Sequence, residues 1–130
     1  MKIKSFAMLS FLFIVNTVSA QSIFEKWPTL KTFHEVMSQT FHPVEEGDFG
    51  PLKSRSLELF QKAEALLKND IPEEYRTNAI LSAAERLQLK SKSLHKLVLA
   101  KASDEDLVKS LTELHNIFHE IVGLCYEEKN

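Results

Sequence analysis

The apolar residues in the last quarter of the chain recur at alternating spacings of four and three residues. The residues that follow this pattern are Leu107, Leu111, Leu114, Phe118, Ile121 and Cys125. This spacing places every apolar side chain on one face of an α-helix and is typical of a seam along which helices pack lengthwise. Ser103 precedes the seam as an N-cap, and three acidic residues follow it, where the helix dipole favours negative charge. The pattern therefore predicts a long helix that buries one face against other helices.

Three further segments have helical spacing and are separated by helix-breaking residues. They are predicted over residues 27–42, ended by Pro43, over residues 51–68, and from residue 73 or 77 to residue 100. Their predicted inner faces consist of Trp27, Leu30, Phe33, Met37 and Phe41, then of Leu52, Leu59, Phe60, Ala63, Leu66 and Leu67, and then of Ile80, Ala84, Leu87, Ser91, Leu94 and Val98.

Four amphipathic helices joined by short connections predict an all-α fold, an antiparallel up-down-up-down four-helix bundle. A hooked or partly dimeric arrangement of four helices is the alternative. We expect a single domain over residues 21–130, because no linker is long enough to separate a second one and 110 residues can bury a core.

The first twenty residues are typical of a secretory signal peptide rather than of the fold. Lysines begin the segment, residues 6–15 are an apolar run, and small residues precede a predicted cut after Ala20. The apolar run is shorter than the roughly 20 residues that cross a bilayer, and no later segment is apolar enough to do so. The sequence therefore predicts a periplasmic or secreted protein with no membrane span in the mature chain.

Composition excludes several classes of function. The chain has 16 basic and 18 acidic residues, and removal of Lys2 and Lys4 leaves 14 against 18, a net charge of −4, so nucleic acid is not expected as a partner. Three glycines argue against a glycine-rich phosphate loop. The single cysteine excludes a disulfide framework within the chain. Because Cys125 lies on the apolar seam, we expect a buried structural thiol rather than a reactive or dimer-forming one.

The histidines suggest a metal site. His115 and His119 are four residues apart and share one face of the last helix, and His34 and Met37 are three apart on the first. If the first and last helices are antiparallel neighbours, His34, Met37 and His115 lie at one level, with His119 one turn away. Imidazole and thioether ligands suit copper or zinc, so the predicted site lies at the rim between these helices.

The remaining polar residues have weaker predicted roles. His42 is expected to stabilise the end of the first helix, or to form a second, weaker metal site with Glu45 or Glu46. His95 lies in a basic stretch and is expected to be solvated. Glu35 and Glu120 are placed where they could accept hydrogen bonds from imidazole rings. The alternative is that all the histidines are ordinary surface or structural residues.

The stretch from Leu107 to Tyr126 resembles the last helix of the cytochrome c-prime family, in which a Cys-x-x-Cys-His haem-attachment motif lies near the end of a four-helix bundle. His115 and Phe118 stand at the two cysteine positions, and His119 stands at the position of the haem-ligand histidine. The loop over residues 45–48 and the region over residues 63–67 are loosely similar. The resemblance implies a four-helix bundle without covalent haem, because both cysteines are replaced.

Soluble b-type cytochrome bundles, which the chain also resembles in layout, hold haem without covalent bonds. The resemblance implies that Met37 with His119 or His115 could supply the axial pair. The dense apolar seam disfavours a porphyrin slot, so haem is not the expected cofactor.

Two functions remain open from the sequence. No nucleophile or Glu-x-x-His motif points to an enzyme, so the first is an exported metal-binding bundle. The second is a module that binds another envelope protein, or forms a homodimer through its second and third helices. That module would use apolar residues away from the predicted inner faces, namely Leu57, Leu81, Leu89, Leu97 and Leu99.

Overall fold

A computed structural model describes residues 22–68 and 71–129, and the regular secondary structure within these ranges is helical. The predicted all-helical bundle is confirmed for this part of the chain. Residues 22–26 are helical and lead into the first long helix. The predicted signal peptide lies outside the described residues. The elements that follow are α1 (Pro28–Glu45), α2 (Gly50–Lys68), a 3-10 turn (Glu73–Tyr75), α3 (Asn78–Leu99) and α4 (Asp104–Lys129).

Consecutive helices pack along their lengths, α1 on α2, α2 on α3 and α3 on α4. Two ion pairs define the direction of the last contact, because Arg86 pairs with Glu120 and Lys90 with Glu113, so α3 and α4 run antiparallel. Helices α1 and α4 have fewer close backbone approaches and meet largely through aromatic rings. None of the described helices combines the length and apolar character that crossing a bilayer requires.

The seam predicted on the last helix is confirmed as the buried face of α4. All six of its residues are at most 3% exposed. Ser103 caps the helix as expected, since its Oγ accepts a hydrogen bond from the Asp106 N–H at 3.2 Å. The predicted inner faces of α2 and α3 are largely buried as well, but Phe60, Leu67 and Val98 are only half-buried.

The predicted end of the first helix at His42 is wrong. Pro43 lies inside α1, which continues to Glu45 and places Val44 in the core. Proline removes one N–H, and the last turn compensates through its cap. The Pro43 carbonyl accepts hydrogen bonds from the backbone N–H groups of Glu46 and Asp48, at 3.0 and 2.9 Å. Because these bonds and the burial of Val44 stabilise the turn, the local preference against helix before proline is overridden.

The third helix begins at the later of its two predicted starts. Thr77 is the N-cap of α3, and its hydroxyl accepts a hydrogen bond from the Ile80 N–H at 3.2 Å. Residue 73 belongs instead to the separate 3-10 turn. The expectation that His95 is solvated is also wrong. His95 is half-buried, and its Nδ1 lies 2.8 Å from Ser56 Oγ on α2.

Candidate functional site

A continuous row of aromatic and imidazole rings lies along the contact between α1 and α4. Each ring touches the next, with centroid separations between 4.2 and 6.1 Å. We call it the ring row, and it consists, in spatial order, of Phe24, His34, Phe118, His119, His115, Phe41 and His42. It gathers four of the chain's five histidines.

His115 and His119 form the closest polar contact of the ring row. Their Nε2 atoms lie 3.2 Å apart, within hydrogen-bonding distance, and their rings are tilted by 78°. The contact follows from the helix itself, because residues four apart lie one above the other on the same face. Two nitrogens that bind one tetrahedral zinc ion at about 2.0–2.1 Å lie about 3.3 Å apart. The pair is thus spaced as two adjacent ligands of one metal ion would be.

The two rings of the pair have different surroundings. His115 is half-buried and stacks on Phe41 with a centroid distance of 4.2 Å and an interplanar angle of 5°. His119 is exposed. Burial lowers the pKa of His115, and the charge of His119 lowers it further, while Glu45 opposes this by raising it. His115 is therefore held as the neutral imidazole at pH 7, which is the form that binds metal.

His34 belongs to the ring row but not to the close pair. Its ring is stacked between Phe24 and Phe118, at 5.2 and 5.1 Å, and its Nε2 lies 3.4 Å from Ser38 Oγ. Burial and then the charge of His119 lower the pKa of His34, whereas Glu35 raises it. The Phe118 ring stands between His34 and His119 in the row.

The structure does not place His34 and His115 at the one level that the sequence predicts. His34 is level with Phe118, and His115 is level with Phe41. His34 is therefore nearer to His119 in the ring row than to His115, the reverse of the expected order. The difference arises because the aromatic side chains between α1 and α4 determine how the two helices are aligned along their axes.

Met37 and His42 occupy opposite environments. Met37 is 1% exposed and belongs to the hydrophobic core. His42 is exposed, and its Nδ1 lies 3.1 Å from the Glu45 carboxylate. Glu120, expected near an imidazole, has its carboxylate bound by Arg86, which lowers its pKa. Within residues 22–68 and 71–129, no group of three or more His, Cys, Asp and Glu side chains is arranged to hold a metal ion.

Sequence reasoning missed the aromatic partners of the histidines. The sequence predicts Phe41 on the inner face of the first helix, but it is half-buried and covers His115. Phe24, ahead of the first predicted helix, covers His34. The sequence signal is weak, because Phe41 adjoins His42 but Phe24 precedes His34 by ten residues.

The residues of the core do not fit a haem group between Met37 and the histidines of α4. Phe33 and Phe118 fill the space between α1 and α4, with ring centroids 5.9 Å apart, and both are buried. Phe118 also stands where the attachment motif has its second cysteine. No known protein family, curated protein or solved structure matches the chain. The resemblance to cytochrome bundles stays a prediction.

Proposed function

We propose that this protein is an exported, antiparallel four-helix bundle that binds a transition-metal ion, copper or zinc, through His115 and His119. The proposal depends on one observation, the 3.2 Å separation of the two Nε2 atoms. Export follows from the predicted signal peptide and its cut after Ala20, and places the protein in the periplasm or outside the cell.

Three properties of the pair favour a metal over a merely structural role. The nitrogens are spaced as adjacent ligands, and the stack on Phe41 holds the His115 ring in one orientation. The lowered pKa of His115 removes the proton that would compete with a metal ion. His119 is exposed, so an ion can reach the pair from solvent.

His34, His42 and Met37 are further candidate ligands in addition to the His115 and His119 pair. His34 and His42 are the further imidazoles of the ring row on the α1 side, each separated from the pair by one phenylalanine ring, and His42 is the weaker candidate. Met37 would favour Cu(I) if its thioether coordinated, because soft ligands select that ion. Met37→Leu tests whether the thioether is a ligand. If it is, the substitution weakens Cu(I) binding and leaves Zn²⁺ binding unchanged.

The experiment is metal titration of residues 21–130, produced without an affinity metal column and followed by native mass spectrometry and calorimetry. The double substitution His115→Phe with His119→Ala keeps a ring stacked on Phe41 and removes both nitrogens. We expect affinity for Cu²⁺ or Zn²⁺ to fall by about 100-fold or more, beyond the usual loss when only a supporting residue of a metal site is changed. Helicity by circular dichroism should be unchanged.

The matched control is His95→Gln. It removes a histidine outside the ring row, and its amide can replace the hydrogen bond to Ser56. This variant should bind metal as the unsubstituted protein does. Equal affinity in the double variant, or no binding of either metal at micromolar concentration, would overturn the proposal.

The alternative function, an apolar protein-binding module, is less well supported. Leu57, Leu89 and Leu99 are 49%, 64% and 68% exposed, but Leu81 and Leu97 pack against the core. Leu89 and Leu99 are ten residues apart on α3, which corresponds to about 15 Å along the axis and about 80° around it. These leucines therefore do not form one continuous face.

A further inference from the structure

We propose that two copies of this chain share one zinc ion, with His115 and His119 of each copy supplying its four imidazole ligands. This inference rests on the proposed function and goes further, because it names the partner as a second copy of the chain. It depends on the shape of the tetrahedral site, on the exposed face of α4 around the pair, and on the symmetry of that face.

The two imidazole nitrogens fill only half of a tetrahedral zinc site. Structural zinc sites in proteins almost always have four side-chain ligands in a tetrahedron. Two nitrogens 3.2 Å apart occupy one edge of that tetrahedron. The opposite edge is related to the first by a two-fold axis through the metal, and a two-fold axis is also the commonest symmetry of protein dimers. A second pair on another copy completes the shell without any further residue type.

The face of α4 around the pair has a second regular stripe, which we call the outer stripe. It consists of Val108, Thr112, His115, His119, Val122 and Tyr126. Its spacings are four, three, four, three and four, the same as those of the buried seam one residue earlier. The outer stripe has no charged residue. Val108, Thr112 and His119 are exposed, whereas His115 is half-buried against Phe41, and Val122 and Tyr126 are half-buried against the core. It is thus a neutral helix face with the spacing of a packing seam.

The outer stripe is symmetric about its own centre. Position 117 is the midpoint of Val108 and Tyr126, of Thr112 and Val122, and of His115 and His119. Two copies of α4 crossing antiparallel at this position would place each residue opposite its symmetry mate. His115 of one copy would then lie beside His119 of the other, with the metal on the axis.

The neighbouring residues permit a close approach. Asn116 is exposed beside the pair, and a side-chain carbon added at Gly123 would meet nothing within 4 Å. The carboxylates of Glu113 and Glu120 turn to the α3 side, where Lys90 and Arg86 bind them. The outer stripe itself therefore carries no charged side chain across the axis, and Glu45 of α1 is the carboxylate whose charge acts on His115.

The experiment is titration of chelator-treated residues 21–130 with ZnCl2, with molar mass measured by light scattering after size exclusion and by native mass spectrometry. We expect a monomer without zinc and a dimer with one zinc per two chains, complete at half an equivalent. Excess EDTA should restore the monomer. His115→Phe with His119→Ala should remain monomeric at every zinc concentration.

A charged residue introduced on the outer stripe tests dimerisation independently of zinc binding. Thr112→Lys leaves both imidazoles in place and sets a lysine against Val122 of the second copy. Dimerisation should weaken at least about tenfold, while each chain still binds zinc. Ser93→Lys, an exposed serine on α3, is the matched control and should dimerise normally.

Each other outcome overturns the inference in a distinguishable way. A monomer with one zinc per chain would exclude the shared site and leave the proposed function intact. A dimer that forms without zinc, or persists in the double histidine variant, would place the contact elsewhere. No zinc binding at all would remove the zinc form of the proposed function together with the inference.

Discussion

At the scale of single residues, the ring row shows how burial and neighbouring charge act together on one imidazole. His34 is held between two phenylalanine rings, which remove water from its faces. Desolvation disfavours the imidazolium ion, and a nearby charged His119 disfavours it further, so both causes lower the pKa of His34. The opposing effect of Glu35 is smaller. His34 is neutral at pH 7, and in the folded protein it gains a proton at a lower pH than in the unfolded chain.

We expect the His34 ring protons of the metal-free protein to titrate below the ordinary histidine pKa of about 6.5 when followed by NMR. Unfolded chains bind this proton first as the pH falls. The contribution of His34 to the free energy of unfolding should therefore be complete above pH 6.5 and decrease as the pH falls from 6.5 to the folded pKa. His34→Phe, which preserves both ring stacks, should reduce this loss between pH 7.5 and pH 5. An ordinary or raised His34 pKa, or an unchanged loss in the variant, would contradict the prediction.

At the scale of the helix, the C-terminal end of α3 has a residue that is unusual for its backbone conformation. Lys101 has a φ of +57°, in the left-handed region. Its N–H donates to the Val98 carbonyl at 3.1 Å, and the Ala102 N–H donates to the Leu97 carbonyl at 3.0 Å. These two bonds form a Schellman motif, in which this position is usually glycine. Lys101 thus carries a conformational cost that glycine would avoid.

Lys101→Gly should raise the free energy of unfolding by about 0.5–1 kcal/mol, since the left-handed conformation costs about 1–2 kcal/mol and glycine's greater freedom when unfolded offsets part of the gain. Urea denaturation followed by circular dichroism measures the change. Lys101→Ala is the control and should show no such gain.

Gly47 allows the opposite test, because a glycine already occupies a left-handed position there. Its φ is +88°, and an added side-chain carbon would meet nothing within 4 Å. Gly47→Ala should lower stability for conformational reasons alone, and a stabilised Gly47→Ala would contradict this account.

At the scale of the whole molecule, the core joins both ends of the described chain. Trp27, at the start of α1, is fully buried and stacks on Tyr75 of the 3-10 turn at 6.1 Å. The 3-10 turn also contacts α4. One hydrophobic core therefore includes the first helix, the connection in the middle of the chain and the last helix.

The shared core predicts a single cooperative unfolding transition. Trp27 is the only tryptophan, so its fluorescence reports the end of the bundle where α1 begins. Its transition in urea should coincide with the loss of helicity measured by circular dichroism, as in small two-state domains. An earlier fluorescence transition would show that this end opens independently and that the core is not one unit. Tyr75→Phe, which keeps the ring stack, is the control for a local change in fluorescence.

The features that depend on neighbouring residues along one helix could be predicted from the sequence. The buried seam of α4, its Ser103 cap and the shared face of His115 and His119 follow from spacing, because a helix turns by a constant angle per residue. The same local reasoning failed at Pro43, where the cap bonds and the burial of Val44 outweigh a preference of the single residue. Local rules describe the common case, and the fold overrides them where packing contributes more.

The residues beside the histidines of α4 follow from the packing of helices and not from spacing within one helix. Phe41 covers His115, and His34 is level with Phe118 rather than with His115. The hydrogen bond between Ser56 and His95 likewise joins two helices. These contacts depend on the axial alignment of helices far apart in the sequence. Large rings between α1 and α4 determine that alignment collectively, and no spacing within one helix encodes it.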